Sequence, residues 1–396
     1  MSAFLGPAAP LTQCVIVAGG TGAHREAFPK EKGAPPRDAA DLLDSLIDEF
    51  ARFGISDFVV VRGSAAPRAD CAARQARDGR LLTVTTFESE SGDLAEAFTR
   101  FSDHLRDTFL VINGSTFFDC NIAGLVEPAM KPGRMMRLAV CRGPGPPGCT
   151  AVELGGDRVI RMSLQSQVSG SGWISAGICY VRKEVISLMD RVPCSLELDI
   201  LPRLLWIEAV EARRFAGKII NLEATADPNT RHLFPVRRAA VFFDRDGVLN
   251  EDSGYVHQPH ALRWLPGARE SVRAVNDSGR FAFVVTNQSG VARGYYNEDA
   301  ISAFHAEMQR QLLAVGAHID AFVFCPHHPD GILPAYARRC DCRKPLPGMI
   351  LKVLESWPVQ RQGSILIGDR PSDLLAAEAA GLAGRLYGGG DLRQSL

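Results

Sequence analysis

Short apolar runs, each ending in polar residues or glycine, recur along the chain. In the first half they lie at residues 14–18, 58–61, 108–112 and 173–181. A run of four to eight apolar residues, rich in β-branched side chains and bounded by turn formers, predicts a buried strand. Residues 42–53 instead space their leucine, isoleucine and phenylalanine residues as an amphipathic helix does, and Gly54 follows them. Strands that alternate with helices predict a parallel, doubly wound sheet.

The second half repeats this alternation. Its apolar runs lie at residues 239–243, 281–285, 321–324 and 364–367. Pro371 opens an alanine- and leucine-rich segment that stops at Gly381, and this pair is typical of the two ends of a helix. We therefore predict the α/β class, with two doubly wound parallel-sheet (Rossmann-like) domains.

A segment without periodicity separates the two halves. Residues 224–238 are rich in turn formers, which favours a linker. We predict a first domain over residues 1–226, a linker over residues 227–238 and a second domain over residues 239–396. Both domains have a size that can enclose a core.

Composition and charge narrow the possible partners. The 396-residue chain is 46% hydrophobic and 22% charged, which is ordinary for a globular protein. Its net charge of −1 provides no basic field for nucleic acid and no polybasic membrane anchor. No apolar run approaches the ~18 residues of a spanning helix, and no secretory leader is recognisable. We expect a cytoplasmic protein that acts on a small molecule.

Carboxylates follow two of the predicted strands in the second half. Asp244 and Asp246 come directly after the run at residues 239–243, and Asp369 follows the last run. Ligands of open parallel sheets bind at the carboxyl ends of the strands, so these acids are candidates for one site. A solvated turn is the alternative for a single Asp-x-Asp, but it does not explain the matching strand ends.

Polar groups suited to phosphate follow another strand. The hydroxyl of Thr286 and the amide of Asn287 can bind phosphoryl oxygens without adding charge. Arg293 is either a bidentate phosphate clamp or an ordinary surface arginine. The polar segment that reaches His257 is either a substrate-selecting flap or an ordinary loop.

Three of the ten cysteines share one short window with histidine. Cys325, His327, Cys340 and Cys342 form a Cys-x-His and Cys-x-Cys pattern that can surround tetrahedral zinc. Four protein ligands leave no open position, so the predicted Zn²⁺ is structural. A disulfide is the competing interpretation, and His328 is the less suitable histidine because it is out of register.

Two cations follow this cysteine pattern immediately. Arg343 and Lys344 come directly after Cys342, so zinc can fix the loop that presents them to the site. Lys344 would neutralise the phosphoryl group together with the nucleophile. Arg343 would hold the remainder of the substrate.

The first half resembles the sugar-phosphate nucleotidyltransferases. The resemblance rests on four patches, at residues 18–22, 113–119, 175–181 and 196–202. It implies a nucleotide or nucleotide-sugar ligand. Ser115 and Asn221 stand where that family carries metal-binding aspartates, and neither provides an anionic oxygen for magnesium. We therefore expect a degenerate, structural or ligand-sensing domain; transfer through displaced ligands such as Asp119 or Glu223 is the alternative.

The second half resembles the haloacid dehalogenase-like phosphatases. The resemblance rests on the Asp-x-Asp at residues 244–246 and on residues 254–257, 286–290, 325–328, 340–345 and 368–369. Within that family these patches are similar to the heptose bisphosphate phosphatases, and the histidinol phosphatases are close relatives. Arg370 departs from the family, which often has lysine at this position.

The resemblance implies a mechanism. Asp244 would attack phosphorus and form an aspartyl phosphate, and Asp246 would protonate the departing oxygen and then activate water. A catalytic Mg²⁺, held by Asp244, Asp369 and the carbonyl of Asp246, would supply counter-charge together with Lys344. Thr286 completes the expected catalytic set, and Asn287, Arg293, Arg343 and His257 the expected substrate-binding set.

The resemblance also implies a substrate. We expect a phosphoric monoester hydrolase that releases the 7-phosphate of D-glycero-D-manno-heptose 1,7-bisphosphate, in heptose biosynthesis. Three alternatives stay open: a bifunctional phosphatase and heptose 1-phosphate nucleotidyltransferase, a phosphatase regulated by a nucleotide-sugar-binding pseudoenzyme domain, and a histidinol-phosphatase.

Overall fold

The protein is described here from a computed structural model. The structure describes residues 11–18, 39–63, 69–89, 98, 102–114, 116–143, 149–164, 172–189, 199–217, 219–221 and 236–396. The chain divides into two compact units, Met1–Phe234 and Pro235–Leu396. The predicted glycine-rich turn after residue 18, Ser115, Glu223 and most of the predicted linker lie outside the described residues.

The first unit combines many strands with a few helices over its described ranges. Its strands are β1 (Gln13–Ala18), β2 (Asp57–Gly63), β3 (Ala69–Gln75), β4 (Leu81–Ser89), β5 (Thr108–Asn113), β6 (Thr116–Phe118), β7 (Met136–Arg142), β8 (Thr150–Gly155), β9 (Arg158–Leu164), β10 (Trp173–Arg182), β11 (Val210–Phe215) and β12 (Ile219–Asn221). Its helices are α1 (Ala39–Ala51), α2 (Ile122–Val126) and α3 (Leu201–Trp206). The predicted helix and the four predicted strands of this half are present.

Ten of these strands form one sheet in the order β3-β4-β2-β1-β5-β10-β7-β11-β9-β8. Strands β4, β2, β1 and β5 run parallel, whereas β10 is antiparallel to both of its neighbours β5 and β7. The α/β class is confirmed, but this sheet is mixed and not parallel throughout as predicted. One reason is the connection from β8 to β9, which is only Gly156 and Asp157. A connection this short joins antiparallel strands, because parallel neighbours need a long crossover.

The second unit has the predicted doubly wound form. Its strands are β13 (Ala240–Phe243), β14 (Phe281–Asn287), β15 (Ala321–Cys325), β16 (Ile365–Gly368) and β17 (Ala383–Leu386). Its helices are α4 (Ala268–Asp277), α5 (Glu298–Leu313), α6 (Gly348–Ser356) and α7 (Pro371–Ala379). The strands form an all-parallel sheet in the order β15-β14-β13-β16-β17.

The core of this unit lies on both faces of the sheet. Val241 and Phe243 of β13 pack in one core cluster with residues of α4 and α5, and Ala240 and Phe242 pack in another with residues of α6 and α7. This division follows from the strand period of two, which points successive side chains to opposite faces. The chain adds β14 and β15 on one side of β13 and then β16 and β17 on the other side. The order in which strands are added therefore reverses between β13 and β16. Ligands of such sheets bind at this reversal.

No helix in the described parts of the chain combines the length and the apolar character that crossing a membrane requires.

Candidate active site

Three carboxylates meet where the sheet of the second unit reverses. Asp244 follows the last residue of β13, Asp369 follows the last residue of β16, and Asp373 lies in the first turn of α7. One oxygen from each of these acids lies within 4.8 Å of the others. The structure therefore brings Asp244 and Asp369 together, as the two strand ends predict, and adds Asp373 to the same group.

Two glycines make this close approach possible. A Cβ atom at Gly247 would lie 2.4 Å from Asp369 Oδ2, and the φ angle of Gly247 is +84°. A Cβ atom at Gly368 would lie 2.2 Å from the Cβ atom of Asp373. Any larger residue at either position would push the acids apart, so the glycines are part of the site.

The carboxylate of Asp244 is almost enclosed. Its Oδ1 accepts a hydrogen bond from the Arg245 N–H at 2.7 Å and forms an ion pair with Lys344 Nζ at 2.9 Å. Burial raises the pKa of Asp244 to about 6, Lys344 opposes this rise, and the charge of Asp373 adds to it. A buried carboxylate of this kind needs a positive partner to stay ionised near neutral pH.

Lys344 provides that partner. Its Nζ is 2.9 Å from Asp244 Oδ1 and 2.6 Å from Asp373 Oδ1, and it donates to the Val285 carbonyl at 2.9 Å. The ammonium nitrogen therefore has two carboxylate oxygens and one carbonyl oxygen within 2.9 Å. Burial on its own would lower the pKa of Lys344, but the two acids outweigh burial and the pKa lies above its ordinary value. Lys344 is therefore a fixed positive charge between two acids.

The backbone of Lys344 is held by Asn287. The Lys344 N–H donates to Asn287 Oδ1, and Asn287 Nδ2 donates to the Lys344 carbonyl, both at 3.1 Å. The sequence assigns Asn287 to substrate binding, whereas here its amide fixes the position of the lysine. The amide nitrogen has a second hydrogen, so contact with substrate stays a prediction.

The Asp246 side chain lies outside the group of three acids and has its own network. Its two oxygens accept hydrogen bonds from Arg245, Asn250 and Gln288. Gln288 Nε2 also donates to the hydroxyl oxygen of Thr286 at 3.0 Å, and this contact links two expected catalytic residues. No role for Arg245, Asn250 or Gln288 is predicted from the sequence. Their signal was their position, since each lies within four residues of an expected catalytic residue.

The three-acid group suits a hard cation. Asp369 Oδ1 is buried and has no hydrogen-bond partner among the described residues. Burial raises the pKa of Asp369, and of its charged neighbours Arg370 lowers it while Asp373 raises it. Three clustered carboxylates exceed the single buried charge of Lys344, and carboxylate oxygens are the ligands that Mg²⁺ prefers.

The cysteines and the histidine of the predicted zinc pattern also converge. The sulfur atoms of Cys325, Cys340 and Cys342 are 3.2 to 3.5 Å apart, and His327 Nδ1 is 3.4 Å from the Cys342 sulfur. One ligand atom from each of the four residues lies within 4.8 Å of the others. The three cysteines are free thiols, so the competing disulfide is absent. This group can hold a metal ion.

The two neighbouring histidines have different surroundings. His327 directs Nδ1 at the thiols, while its Nε2 lies 2.9 Å from Arg338 Nη2. His328 Nδ1 instead accepts from the Asp330 N–H at 3.1 Å. This geometry favours His327 as the ligand, in line with the register of the sequence. Arg343 Nη1 lies 3.4 Å from the His327 carbonyl oxygen, so the thiol loop also supports the predicted substrate cation.

Two positive charges, those of Arg293 and Arg343, act on His328, and Asp330 lies 3.9 Å from its ring. Burial lowers the pKa of His328, and the charges of Arg343 and Arg293 lower it further. Both predicted substrate arginines therefore act on the same histidine. A cluster of this sign suits an anionic group on the substrate.

The loop before α4 carries aromatic groups. The His257 ring stacks on Tyr296 at a centroid distance of 4.3 Å, and its Nδ1 donates to the Tyr255 carbonyl at 2.8 Å. Tyr255 has a φ angle of +52°, which is uncommon for a residue other than glycine, and its ring meets Tyr295 edge-on at 4.7 Å. The predicted role of His257 in substrate binding is not tested by these contacts and stays a prediction.

Known proteins resemble this chain at the sequence level. A family model described as HAD-hydrolase-like matches residues 341–395. The D-glycero-beta-D-manno-heptose-1,7-bisphosphate 7-phosphatase of Rhodopseudomonas palustris is 48% identical over 156 residues, which are 39% of this chain and 87% of that relative. The enzyme of the same name from Vibrio cholerae is 38% identical over 149 residues, which are 38% of this chain and 80% of that relative.

Solved structures also resemble it. The D,D-heptose 1,7-bisphosphate phosphatase from B. bronchiseptica, complexed with magnesium and phosphate, is 36% identical, covers 39% of this chain and 84% of that chain, and has a TM-score of 0.35. HddC from Yersinia pseudotuberculosis, complexed with GMP-PN, is 15% identical, covers 54% of this chain and 94% of that chain, and has a TM-score of 0.38.

The identity to the Rhodopseudomonas enzyme extends over most of that relative's length, and the matched family model lies within the unit that holds the three acids and Lys344. This chain therefore belongs to the haloacid dehalogenase-like phosphatases and is a phosphoric monoester hydrolase.

Proposed function

We propose that this chain hydrolyses the 7-phosphate of D-glycero-D-manno-heptose 1,7-bisphosphate through an aspartyl phosphate on Asp244. The observation that carries the proposal is the contact of Lys344 Nζ with Asp244 Oδ1 at 2.9 Å, in a group that also contains Asp369. A nucleophilic carboxylate needs a neighbouring cation, since both it and the phosphate ester are negative. The names of the sequence relatives supply the substrate.

Asp244 is the proposed nucleophile because its geometry is fixed and its charge is balanced. The Arg245 N–H and Lys344 Nζ both hold Oδ1. Its attack on phosphorus forms an acyl phosphate and breaks the bond to the sugar oxygen, which leaves protonated as the alcohol; water then hydrolyses the acyl phosphate to inorganic phosphate and the free carboxylate. Lys344 would stay in contact with the reacting oxygens throughout both steps.

Asp246 is the proposed general acid and base. It would give a proton to the departing sugar oxygen in the first step and remove one from water in the second. Thr286 is joined to Asp246 through Gln288, and its hydroxyl would donate to a phosphoryl oxygen. Asp246 contributes its main-chain carbonyl, not its side chain, to the proposed metal site.

Asp244, Asp369 and the Asp246 carbonyl would hold the proposed Mg²⁺. When bound, the ion supplies positive charge that offsets the phosphate oxygens as the transition state forms. Asp373 accepts from the Arg370 N–H at 3.0 Å and contacts Lys344 at 2.6 Å. These two contacts favour a role for Asp373 in orienting the lysine.

The thiol group would hold the proposed Zn²⁺ as a structural ion. Three sulfur atoms at 3.2 to 3.5 Å leave little room for three thiolates without a cation between them. The ion would fix the chain two residues before Lys344, because Cys342 is one of its ligands. This supports a role in positioning the lysine and none in the chemistry.

The positive charges of Arg293 and Arg343 favour a bisphosphate over histidinol phosphate. Both arginines act on His328, so a second anionic group would find positive charge there. Histidinol phosphate instead carries an ammonium group away from its phosphate, and like charges would repel. The same charges favour the heptose ester among the substrates of the related phosphatases.

A substrate screen tests the proposal. Purified protein with Mg²⁺ is assayed for phosphate release from heptose 1,7-bisphosphate, histidinol phosphate and other sugar phosphates, and Asp244→Asn serves as the blank. We expect the highest kcat/KM for the heptose bisphosphate. A clear preference for histidinol phosphate would overturn the substrate assignment.

A second candidate function concerns the first unit, which we propose binds a nucleotide or nucleotide sugar. A Cβ atom at Gly177 of β10 would lie 2.7 Å from Thr116 Oγ1 and 3.4 Å from Asn113 Cβ, and one at Gly114 would lie 3.2 Å from Ala18 Cα. Three patches of the resemblance therefore approach one edge of the sheet.

Pyrophosphate release from heptose 1-phosphate with ATP or GTP would establish a bifunctional enzyme. Tight nucleotide-sugar binding without turnover, together with an altered phosphatase rate, would instead establish a regulatory unit. Absence of both binding and turnover would contradict either role.

A further inference from the structure

Arg245 lies between the two acids of the Asp-x-Asp pair and is completely buried. Its exposed fraction is 0%, although its neighbours Asp244 and Asp246 both border the site. A buried guanidinium keeps its charge, so it has to find its partners inside the protein. The hydrogen-bond partners of Arg245 therefore indicate the role of its charge.

The guanidinium binds the Asp246 carboxylate through two hydrogen bonds and is itself held in place. Nε donates to Asp246 Oδ1 at 3.0 Å, and Nη2 donates to Asp246 Oδ2 at 2.8 Å, so the two groups meet fork to fork. Nη2 also donates to the Val256 carbonyl at 2.6 Å, and the guanidinium carbon lies 4.6 Å from the centre of the Phe304 ring. The arginine is fixed by contacts with three separate segments.

Asp246 is held from all sides by nitrogen donors. Besides the two bonds from Arg245, Oδ1 accepts from Asn250 Nδ2 and Oδ2 accepts from Gln288 Nε2, both at 2.9 Å. Tyr296 donates to Gln288 Oε1 at 2.8 Å and so fixes the orientation of that amide. These nitrogen donors hold the carboxylate in one orientation, and its side chain stays partly exposed.

Stability alone does not account for Arg245. One of its nitrogens, Nη1, is buried with no hydrogen-bond partner among the described residues. A buried ion pair gains little over well-packed apolar side chains, and an unsatisfied donor makes it costlier. A group that is costly for folding and that contacts an expected catalytic residue points to a role in the reaction.

We propose that Arg245 is a positioning residue for Asp246, which it aims at the leaving-group oxygen by means of the two-pronged contact. The inference rests on the proposed function, because it takes Asp246 as the general acid and base. Arg245 itself touches no reacting atom. Its backbone N–H orients Asp244, and its side chain orients Asp246, so one residue sets the geometry of both acids.

The leaving group provides the test. A sugar oxygen needs a proton to depart, whereas p-nitrophenolate does not, so a defect in Asp246 affects these two substrates differently. For Arg245→Met we expect kcat on the heptose bisphosphate to fall about 10²-fold or more, with KM changed by less than about 3-fold. With p-nitrophenyl phosphate we expect a first-turnover burst of one phenolate per enzyme at near wild-type rate, followed by slow turnover. Equal losses in the burst and on the sugar substrate would overturn the proposal.

A double variant keeps the test independent of folding. Arg245→Met is combined with Asp246→Asn, and we expect the double variant to be no slower than Asp246→Asn alone, since the arginine acts through that acid. A further loss in the double variant would show that Arg245 works by another route. Arg245→Lys keeps the charge but loses the two-hydrogen-bond contact with Asp246. We expect a folded protein with an intermediate kcat and the same difference between the sugar substrate and p-nitrophenyl phosphate. Full wild-type kcat would contradict a role for the two-hydrogen-bond contact.

Control measurements separate this inference from the proposed function. Arg273→Met alters a partly exposed arginine of α4 and should match the wild type on both substrates. If the wild type releases no phosphate from the heptose bisphosphate, the substrate proposal fails. The burst with p-nitrophenyl phosphate still decides the role of Arg245, because it needs no sugar.

Discussion

The two sheets present very different chemistry at the ends of their strands. In the first unit, the edge next to β1 and β5 carries Asn113, Gly114 and Thr116, which are uncharged. In the second unit, the edge next to β13 and β16 carries Asp244 and Asp369, and Lys344 contacts the former. Among the described residues, both groups of side chains able to hold a metal ion belong to the second unit.

The difference shows what a phosphoryl-transfer site demands of its chain. Like charges cluster only where cations balance them, and the second edge combines three acids with a buried lysine. Uncharged side chains can contact a ligand without balancing cations, but they bind a hard cation weakly. The described part of the first edge therefore suits binding better than magnesium-dependent transfer.

The largest expected effect comes from neutralising the nucleophile. Asp244→Asn removes the attacking carboxylate while keeping its shape, so we expect phosphate release from the heptose bisphosphate to fall by about 10⁴-fold or more. Asn113→Ala at the first edge should leave this rate unchanged. Phosphate release measured side by side tests the comparison, and a similar loss in both variants would refute it.

Removing the buried cation should have the next largest effect. Lys344→Met leaves Asp244 and Asp373 facing each other without a counter-charge, and we expect kcat to fall by about 10²- to 10³-fold. The matched Lys352→Met change, on α6, should have no such effect. Steady-state kinetics at saturating Mg²⁺ measure it, and retention of more than about a tenth of the wild-type kcat would contradict the role of Lys344.

Breaking the thiol group should act at a distance. Cys342→Ser removes one proposed zinc ligand, and we expect bound zinc to be lost, the melting temperature to fall and kcat to drop by about 10- to 100-fold as the Lys344 loop loosens. Elemental analysis and thermal melting measure this. The exposed Cys71 gives the control Cys71→Ser. Unchanged zinc content in Cys342→Ser would contradict the assignment.

The smallest expected effect is on the pH dependence of magnesium binding. Burial raises the pKa of Asp244 to about 6, above its ordinary value of 3.8, so this carboxyl holds a proton below about pH 6. A protonated carboxyl does not bind Mg²⁺, and the affinity should fall by about tenfold for each pH unit below that value. Calorimetric titration between pH 8 and pH 5 measures this, and a constant affinity across the range would contradict it.

The sequence predicts the main features of the second edge because they follow from strand ends. Apolar runs followed by Asp244 and Asp369 are local signals, and parallel strands bring such residues to one edge. The cysteine pattern is also local, since its spacing alone suits a tetrahedral ion. These predictions needed the order of the residues and the direction of the strands.

Contacts that depend on side-chain orientation were not predictable. The sequence does not reveal that Asn287 forms hydrogen bonds with the Lys344 backbone. It also does not reveal that Gln288 donates hydrogen bonds to both Thr286 and Asp246. A polar side chain can bond to many partners, and the folded packing decides which one it meets. The antiparallel strands of the first sheet were missed for a similar reason, because strand direction depends on connections that hydrophobic runs do not reveal.

The central claim is that Asp244 carries the phosphoryl group during turnover. Rapid acid quench of the protein with heptose 1,7-bisphosphate, followed by peptide mass spectrometry, tests it most directly. We predict the added mass of one phosphoryl group on the peptide that contains Asp244, and none on that peptide from Asp244→Asn. Rapid turnover with the label on another residue would contradict the account.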